Sequence, residues 1–286
     1  MKLDDVWELE KSIKDERILK LRSKENLDIK AFFKKPRSKH PVHKSIFFVN
    51  ELTCYHLGIC LNFPINRVLM ASFQDEIGLF SYFFEDNLLQ FYDSVYKHSS
   101  NPNYNFDGCF YIIKSHEVQH IMRLDALKEL FVFDQWVYAL DRRPNNVMVE
   151  RCKNNNSRLW AVDHEHSLNN GPDETHPSYR LEDVEAKVLR GICHPTQMTY
   201  GIRNLAEIDN AMRRIESFSD DEIDRVVNSI TDQVLNKYKV DSESEYSVQS
   251  NSKIIEKILK GRKERLRKLI DDCWLDWRTE VNSDIL

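Results

Sequence analysis

Seven glycines in 286 residues is few; average usage near 7% would supply roughly 20. They are Gly58, Gly78, Gly108, Gly171, Gly191, Gly201 and Gly261. No two fit GxGxxG or GxxxxGK[ST], so the dinucleotide fingerprint, the Walker P-loop and a glycine-rich kinase loop are excluded. The six cysteines form no CxxC or CxxxC pair. That argues against a zinc ribbon and a disulfide framework and for reduced thiols. No apolar run approaches the roughly 18 residues of a membrane span, and the acidic start Met1-Lys2-Leu3-Asp4-Asp5 has no apolar leader. A net charge of −5 offers no general attraction to nucleic acid or anionic membrane. The expectation is a soluble cytoplasmic protein with no membrane contact and no direct nucleic-acid binding.

Apolar residues make up 41% and aromatics 11% of the chain, enough to core one large domain or two lobes. Short apolar stretches at 17–21 and 28–33 read as strands joined by the polar turn 22–26. Val49, Leu52, Leu57 and Leu61 recur at helical spacing, and Asn62 and Pro64 close that helix. Segments 67–71 and 77–84 complete a sheet. Residues 98–108 are turn-forming, and helical periodicity then dominates at 121–132, 181–189, 205–215 and 221–235. Ser219-Asp220-Asp221-Glu222 is a helix start with a hydroxyl cap and a carboxylate three residues on. The serine-rich segment 239–252 reads as a linker, and 254–277 as a last helix with an apolar stripe opposite a basic face that includes Arg262.

The strongest chemical signal runs from Leu130 to His166. A helix carrying Asp134 and Trp136 leads into Asp141-Arg142-Arg143-Pro144-Asn145-Asn146, a strand at 147–149, a turn, and a second strand ending at Asp163-His164-Glu165. Phosphoryl transfer needs a carboxylate near the attacking hydroxyl and oxygen ligands for Mg²⁺. Asp141 and Asn146 have the spacing of the HRDxxxxN catalytic loop, and Asp163 stands where a DFG aspartate would.

In these residues the sequence resembles the HipA-like kinases, bacterial Ser/Thr kinases distantly related to the phosphatidylinositol 3/4-kinase fold. Their pattern, Asp-x-Trp-x-x-Asn-x-Asp-Arg-x-x-x-Asn and then Ile-Asp-His, is matched by Asp134, Trp136, Asp141, Arg142, Asn146, Asp163 and His164. It departs at Ala139, where the family often has Asn, and at Glu165, where it often has Gly. Phe48-Val49-Asn50-Glu51-Leu52 is similar to the family's NEL helix, Leu61-Asn62-Phe63-Pro64-Ile65 to the turn after it, and Leu259-Lys260-Gly261-Arg262 to its closing helix.

The resemblance implies an α+β bilobal protein-kinase-like fold, with a small antiparallel-sheet lobe over 1–84 and a mainly helical lobe over 85–286. It implies ATP and Mg²⁺, with Asp141 at the acceptor hydroxyl and Asn146 and Asp163 holding the metal. A strand lysine would grip the phosphates: Lys34 fits best, with Lys30 and Lys35 as rivals, and Glu51 would pair with it. Adenine would meet backbone near Glu85, and His164 would contact phosphate or support the Asp163 loop. The implied partner is a protein with a Ser or Thr acceptor. Some members are toxins paired with an antitoxin, which leaves room for an antitoxin-like partner here.

Other readings remain beside this one. A nucleotide-binding pseudokinase acting as an interaction module is compatible with the missing glycine loop and Ala139. His116-Glu117-Val118-Gln119-His120 is a literal HExxH, the pattern of a zinc protease, although no third ligand motif follows. The basic face of the last helix reads as a solvated surface ahead of an acidic-partner site. The turn at 22–26 would cover the phosphates, and Ser23 within it reads as a turn former ahead of a self-phosphorylation site.

Overall fold

The computed structural model describes residues 7–13, 18–25, 30–38, 40–83, 88–90, 124–140, 142, 146–151, 157–168, 184–192, 205–238 and 242–283. Five strands form one antiparallel sheet: β1 (Trp7–Ile13), β2 (Ile18–Ser23), β3 (Lys30–Lys34), β4 (Leu69–Phe73) and β5 (Glu76–Phe83), in the order β1-β2-β3-β5-β4. The period of two that marks β2 and β3 in the sequence sets their faces. Leu19, Leu21, Ala31 and Phe33 are buried with Ala71, Phe73 and Phe80 in a small cluster of the sheet's own. Phe32 and Lys34 therefore point to the opposite face, where helix α1 (Pro41–Cys60) lies.

Helix α1 begins earlier than its apolar spacing suggests, because Pro41 fits a first turn whose N–H groups lack intrahelical partners. It ends where expected. Asn62 adopts φ 54°, Phe63 N–H donates to Gly58 O at 2.8 Å and Asn62 N–H to Ile59 O at 3.1 Å, a Schellman closure. Gly58 is required there: a Cβ would lie 2.3 Å from Ile65 Cγ1. The chain after this turn bonds to the strand leading to Asp163, through Ala161 N–H to Pro64 O at 2.7 Å and Asn66 N–H to Ala161 O at 2.9 Å.

Strands β6 (Leu88–Gln90), β7 (Val147–Arg151) and β8 (Ser157–Ala161) form a second antiparallel sheet. The described helices of the back half are α2 (Leu124–Val137), α3 (Val184–Leu189), α4 (Asp209–Glu216), α5 (Asp220–Tyr238) and α6 (Ser242–Ser283). A 3₁₀ turn over Leu205–Glu207 precedes α4, so the segment expected as one helix is two. The large core joins α1 (Phe48, Leu52, Leu57) to α2 (Leu130, Phe133, Trp136), α5 (Ile223, Val227) and α6 (Ile255, Leu259). The architecture is bilobal, a five-stranded antiparallel sheet followed by a mainly helical half. The expected lobe boundary near 84 falls at 84–87, outside the described residues.

Two expectations are corrected. Most of the serine-rich stretch read as a linker belongs to α6, which starts at Ser242. Val248 and Ser252 are buried against α5, and Thr231 Oγ1 and Ser252 Oγ lie 2.6 Å apart. Each hydroxyl also lies within bonding distance of the carbonyl four residues back in its own helix, so one can donate to the other while the second donates to its carbonyl, and both enter the interface with partners. The basic face of α6 is not simply solvated. Lys260 pairs with Asp224, Lys263 with Asp220, and Arg267 with Glu216 and Asp209. Arg262 is fully buried, donating to Gln135 O, Lys187 O and Arg190 O with its guanidinium over the Tyr138 ring. No helix among the described residues is long and apolar enough to cross a membrane.

Candidate active site

Lys34 closes β3 with its ammonium beside three carboxylates from two other parts of the chain. Nζ donates to Glu51 Oε1 at 2.7 Å and to Asp163 Oδ1 at 2.5 Å, and Glu165 Oε2 lies 3.1 Å away. The Phe47 ring, one turn before Glu51 on α1, packs under the ammonium with its centroid 5.0 Å away. Burial pulls the lysine's pKa down. Attraction to Asp163, then Glu51 and Glu165, more than reverses this and holds it well above the usual lysine value. Burial pushes the Glu51 carboxyl upward against the pull of the Lys34 charge. Lys35, one residue on, takes the other face and pairs with Glu76 at 2.8 Å. Lys30 sits four residues earlier on the strand, roughly 13 Å away at the rise of a β-strand.

The loop after β8 is held from below by Arg142. The guanidinium has five N–H donors, and all are used. Nε and Nη2 donate to the two oxygens of Asp134 at 2.9 and 3.0 Å. Nη1 serves Asn146 O at 3.0 Å and Val162 O at 2.9 Å, and Nη2 lies 2.8 Å from His164 Nε2. Val162 N–H also donates to Asn146 O at 2.9 Å, so the buried Asn146 is tied to the residue preceding Asp163. Asp163 itself has φ 62°, a left-handed conformation that aspartate tolerates better than most residues and that clusters at functional sites.

His164 packs beneath the same turn. Its ring is buried against Arg142 and its backbone N–H donates to Glu51 Oε2 at 3.0 Å. Burial, then the charges of Arg142 and Lys34, push its pKa well below the usual value, so the ring is neutral. Asn50, the neighbour of Glu51 on α1, donates through Nδ2 to Glu165 O at 3.3 Å. Two consecutive residues of α1 thus grip the Asp163-His164-Glu165 turn. The neighbours of Asp134 on α2 are structural: the Gln135 side chain makes a pair of bonds with the Ile192 backbone, and the Trp136 indole donates to Leu259 O at 2.9 Å.

The structure therefore brings Lys34, Glu51, Asp163 and His164 together, with Asn146 bonded to the same loop. Asp141 and Glu85, expected at the acceptor hydroxyl and the adenine, lie outside the described residues, as does the HExxH stretch at 116–120. The turn expected to cover phosphate differs from expectation: Arg22 and Ser23 belong to β2, Arg22 pairs with Glu8 at 2.6 Å, and Ser23 is buried. Sequence reading missed the part played by Glu165 and by Arg37, whose Nη2 lies 3.0 Å from Glu165 Oε1. The signal for Glu165 was its place two residues after Asp163, inside a turn that Ser167 N–H closes on His164 O at 3.0 Å.

No protein-family model matches the sequence, and no curated protein is significantly similar to it. Solved structures do match. The Helicobacter pylori proinflammatory kinase CtkA superposes with a TM-score of 0.56 at 14% identity, over 94% of this chain and 99% of that one. The chain has the fold of this kinase. A chain of the Shewanella oneidensis MR-1 HipA, HipB and operator DNA complex superposes with a TM-score of 0.46 at 10% identity, over 87% of this chain and 60% of that one. Within this fold the cluster of Lys34, Glu51, Asp163 and Glu165 lies where β3, α1 and the turn after β8 converge.

Proposed function

We propose that this chain is an ATP- and Mg²⁺-dependent kinase that transfers the γ-phosphoryl group to a Ser or Thr hydroxyl of a protein. The observation that carries the reading is the meeting of Lys34, Glu51 and Asp163, brought from a strand, a helix and a loop onto one ammonium group. A strand lysine paired to a helix glutamate beside a loop aspartate is how protein kinases position and neutralise a triphosphate. We further propose a front lobe ending near residue 84, with the adenine at the connector containing Glu85.

The donor set fits a hard divalent cation. Asp163 and Asn146, tied through the Val162 N–H that donates to Asn146 O at 2.9 Å, offer a carboxylate and an amide, and such oxygens are what Mg²⁺ takes. Asp163 and Asn146 would hold it, and when bound it would neutralise charge on the phosphate oxygens. The chain's own residues do the rest. Lys34 binds phosphate, Glu51 holds Lys34 in place, and Asp141 orients and deprotonates the acceptor hydroxyl. His164, buried and neutral, positions the turn and does not touch phosphate.

Asp163→Asn tests this reading. It removes the charge while keeping a residue that tolerates the left-handed backbone. Incubated with labelled ATP, Mg²⁺ and cell lysate, the wild-type chain labels protein Ser or Thr, and the variant, folded by circular dichroism, does not. Undiminished labelling by the variant refutes the assignment. One feature favours a second reading, a nucleotide-binding module without turnover: Lys34 is already surrounded by carboxylates. Mg²⁺-dependent ATP binding with no labelling by the wild type would select it.

A further inference from the structure

We propose that Glu165 is a latch on Lys34, holding the lysine until a phosphate arrives and then yielding to it by shifting onto Arg37 and His166. This deepens the nucleotide-binding reading above and rests on it. An ammonium group has three N–H donors and no acceptor. Two go to Glu51 and Asp163, and Glu165 stands 3.1 Å from the same nitrogen. A phosphate oxygen can reach Lys34 only when one carboxylate leaves.

The three carboxylates are not equally held. Glu51 is buried on α1, and its second oxygen takes the His164 N–H at 3.0 Å. Releasing it would strand a buried carboxylate. Asp163 makes the shortest contact, 2.5 Å. Glu165 makes the longest, and its other oxygen already lies 3.0 Å from Arg37 Nη2 and 3.4 Å from His166 Nε2. Released from Lys34, it keeps a cation. Arg37 is 51% exposed, so its long side chain has room to follow the moving carboxylate.

Electrostatics favour the same exchange. Three carboxylates, Glu51, Asp163 and Glu165, converge on the single ammonium of Lys34, while Arg37 and His166 sit on the far oxygen of Glu165. Such a site opposes a polyphosphate while all three carboxylates face it. Moving Glu165 off Lys34 frees one donor and withdraws one negative charge from the phosphate. The departure from the family pattern at this position thereby acquires a role: it sets how tightly ATP is bound. Glu165 acts through Lys34, as a positioning residue.

Calorimetric titration of MgATP into the full chain tests the latch. Glu165→Gln, which keeps the shape and removes the charge, should bind about tenfold tighter, equal to about 1.4 kcal/mol. In turnover it should lower KM for ATP while kcat changes by less than about threefold, a split that structural damage does not produce. Arg37→Ala should bind about threefold weaker, Arg37→Lys should restore wild-type affinity, and Arg37→Ala should have no further effect in the Glu165→Gln background. Unchanged or weaker binding by folded Glu165→Gln overturns the latch and leaves the nucleotide reading standing. Equal weakening by Arg37→Ala in both backgrounds overturns it too, since Arg37 would then touch nucleotide directly. Should Glu165→Gln not fold, the two Arg37 variants decide: no weakening with Ala, or no rescue with Lys, overturns the latch. Absence of MgATP binding in the wild type and in every variant removes the nucleotide reading, and the latch with it.

Discussion

Replacing Arg142 by methionine tests whether the loop bearing Asp163 is built on one buried ion pair. Both side chains of the Arg142–Asp134 pair are almost wholly buried, at 1% and 2% exposure. Removing one partner of such a pair leaves an uncompensated charge and costs about 3–5 kcal/mol. Arg142 also serves Asn146 O, Val162 O and His164 Nε2. Asn146 O keeps the Val162 N–H, so the other two acceptors lose most, at about 1–3 kcal/mol each when unpaired. The expected total of at least about 5 kcal/mol is comparable with the whole stability of many domains. A second variant separates the terms. Asp134→Leu/Arg142→Met removes both charges and should recover about 3 kcal/mol of the loss, since a buried pair replaced by apolar groups is close to neutral. Urea unfolding followed by circular dichroism, compared at constant m, measures both. A loss under about 1 kcal/mol for Arg142→Met, or a double variant no more stable than the single one, would refute the reasoning.

His164 carries a pH dependence of known sign. Its pKa is depressed in the fold from an ordinary value of 6.5, so below that value the unfolded chain takes up a proton that the folded chain refuses. Stability is full above the ordinary value and falls as pH drops from it toward the folded value, by up to about 1.4 kcal/mol per pH unit. Urea midpoints between pH 7.5 and 5.5, wild type minus His164→Gln, isolate this slope from the carboxylates; a flat difference contradicts it. Gly78→Ala should disturb the lysine strand, because its Cβ would lie 2.5 Å from Phe33 Cζ and 2.7 Å from Lys34 O. We expect a loss of about 1–3 kcal/mol together with weaker MgATP binding, measured by thermal unfolding and calorimetry. A variant as stable and as tight-binding as wild type would show that β3 and β5 separate freely.

Much of the fold can be read along the chain because the forces that form it are local. Alternation in β2 and β3 follows from the geometry of a strand with one buried face. The end of α1 follows from Asn62, which accepts a left-handed backbone, and from Pro64 beyond it. Ser219 caps α5, its hydroxyl accepting from Glu222 N–H at 3.2 Å while the Glu222 carboxylate takes the Ser219 N–H at 2.8 Å. The first turns of α6 were illegible for the opposite reason. Serines favour loops when solvated, and only contact with α5 makes Ser252 a helical interface residue. Arg262 looked like one of several solvated cations, and its burial depends on carbonyls from α2 and the α3 segment, 127 and 75 residues away in sequence.

By itself the sequence determined the order from β2 through α1 to β5, though not β1 or β6, the shortage of glycine that excludes a phosphate loop of flexible backbone, and the motif residues Asp134, Asp141, Arg142, Asn146 and Asp163. Only the tertiary structure decided which of three neighbouring lysines meets the carboxylates and that Glu165 is among them. Lys34 and Asp163 are 129 residues apart, and no local pattern records a contact over that distance. It exists because β3 alternates Lys34 onto the face covered by α1, and because α1 grips the turn after β8 through Asn50 and Glu51. In the proposed function, side chains packed from distant segments take the place that glycines hold in a phosphate loop.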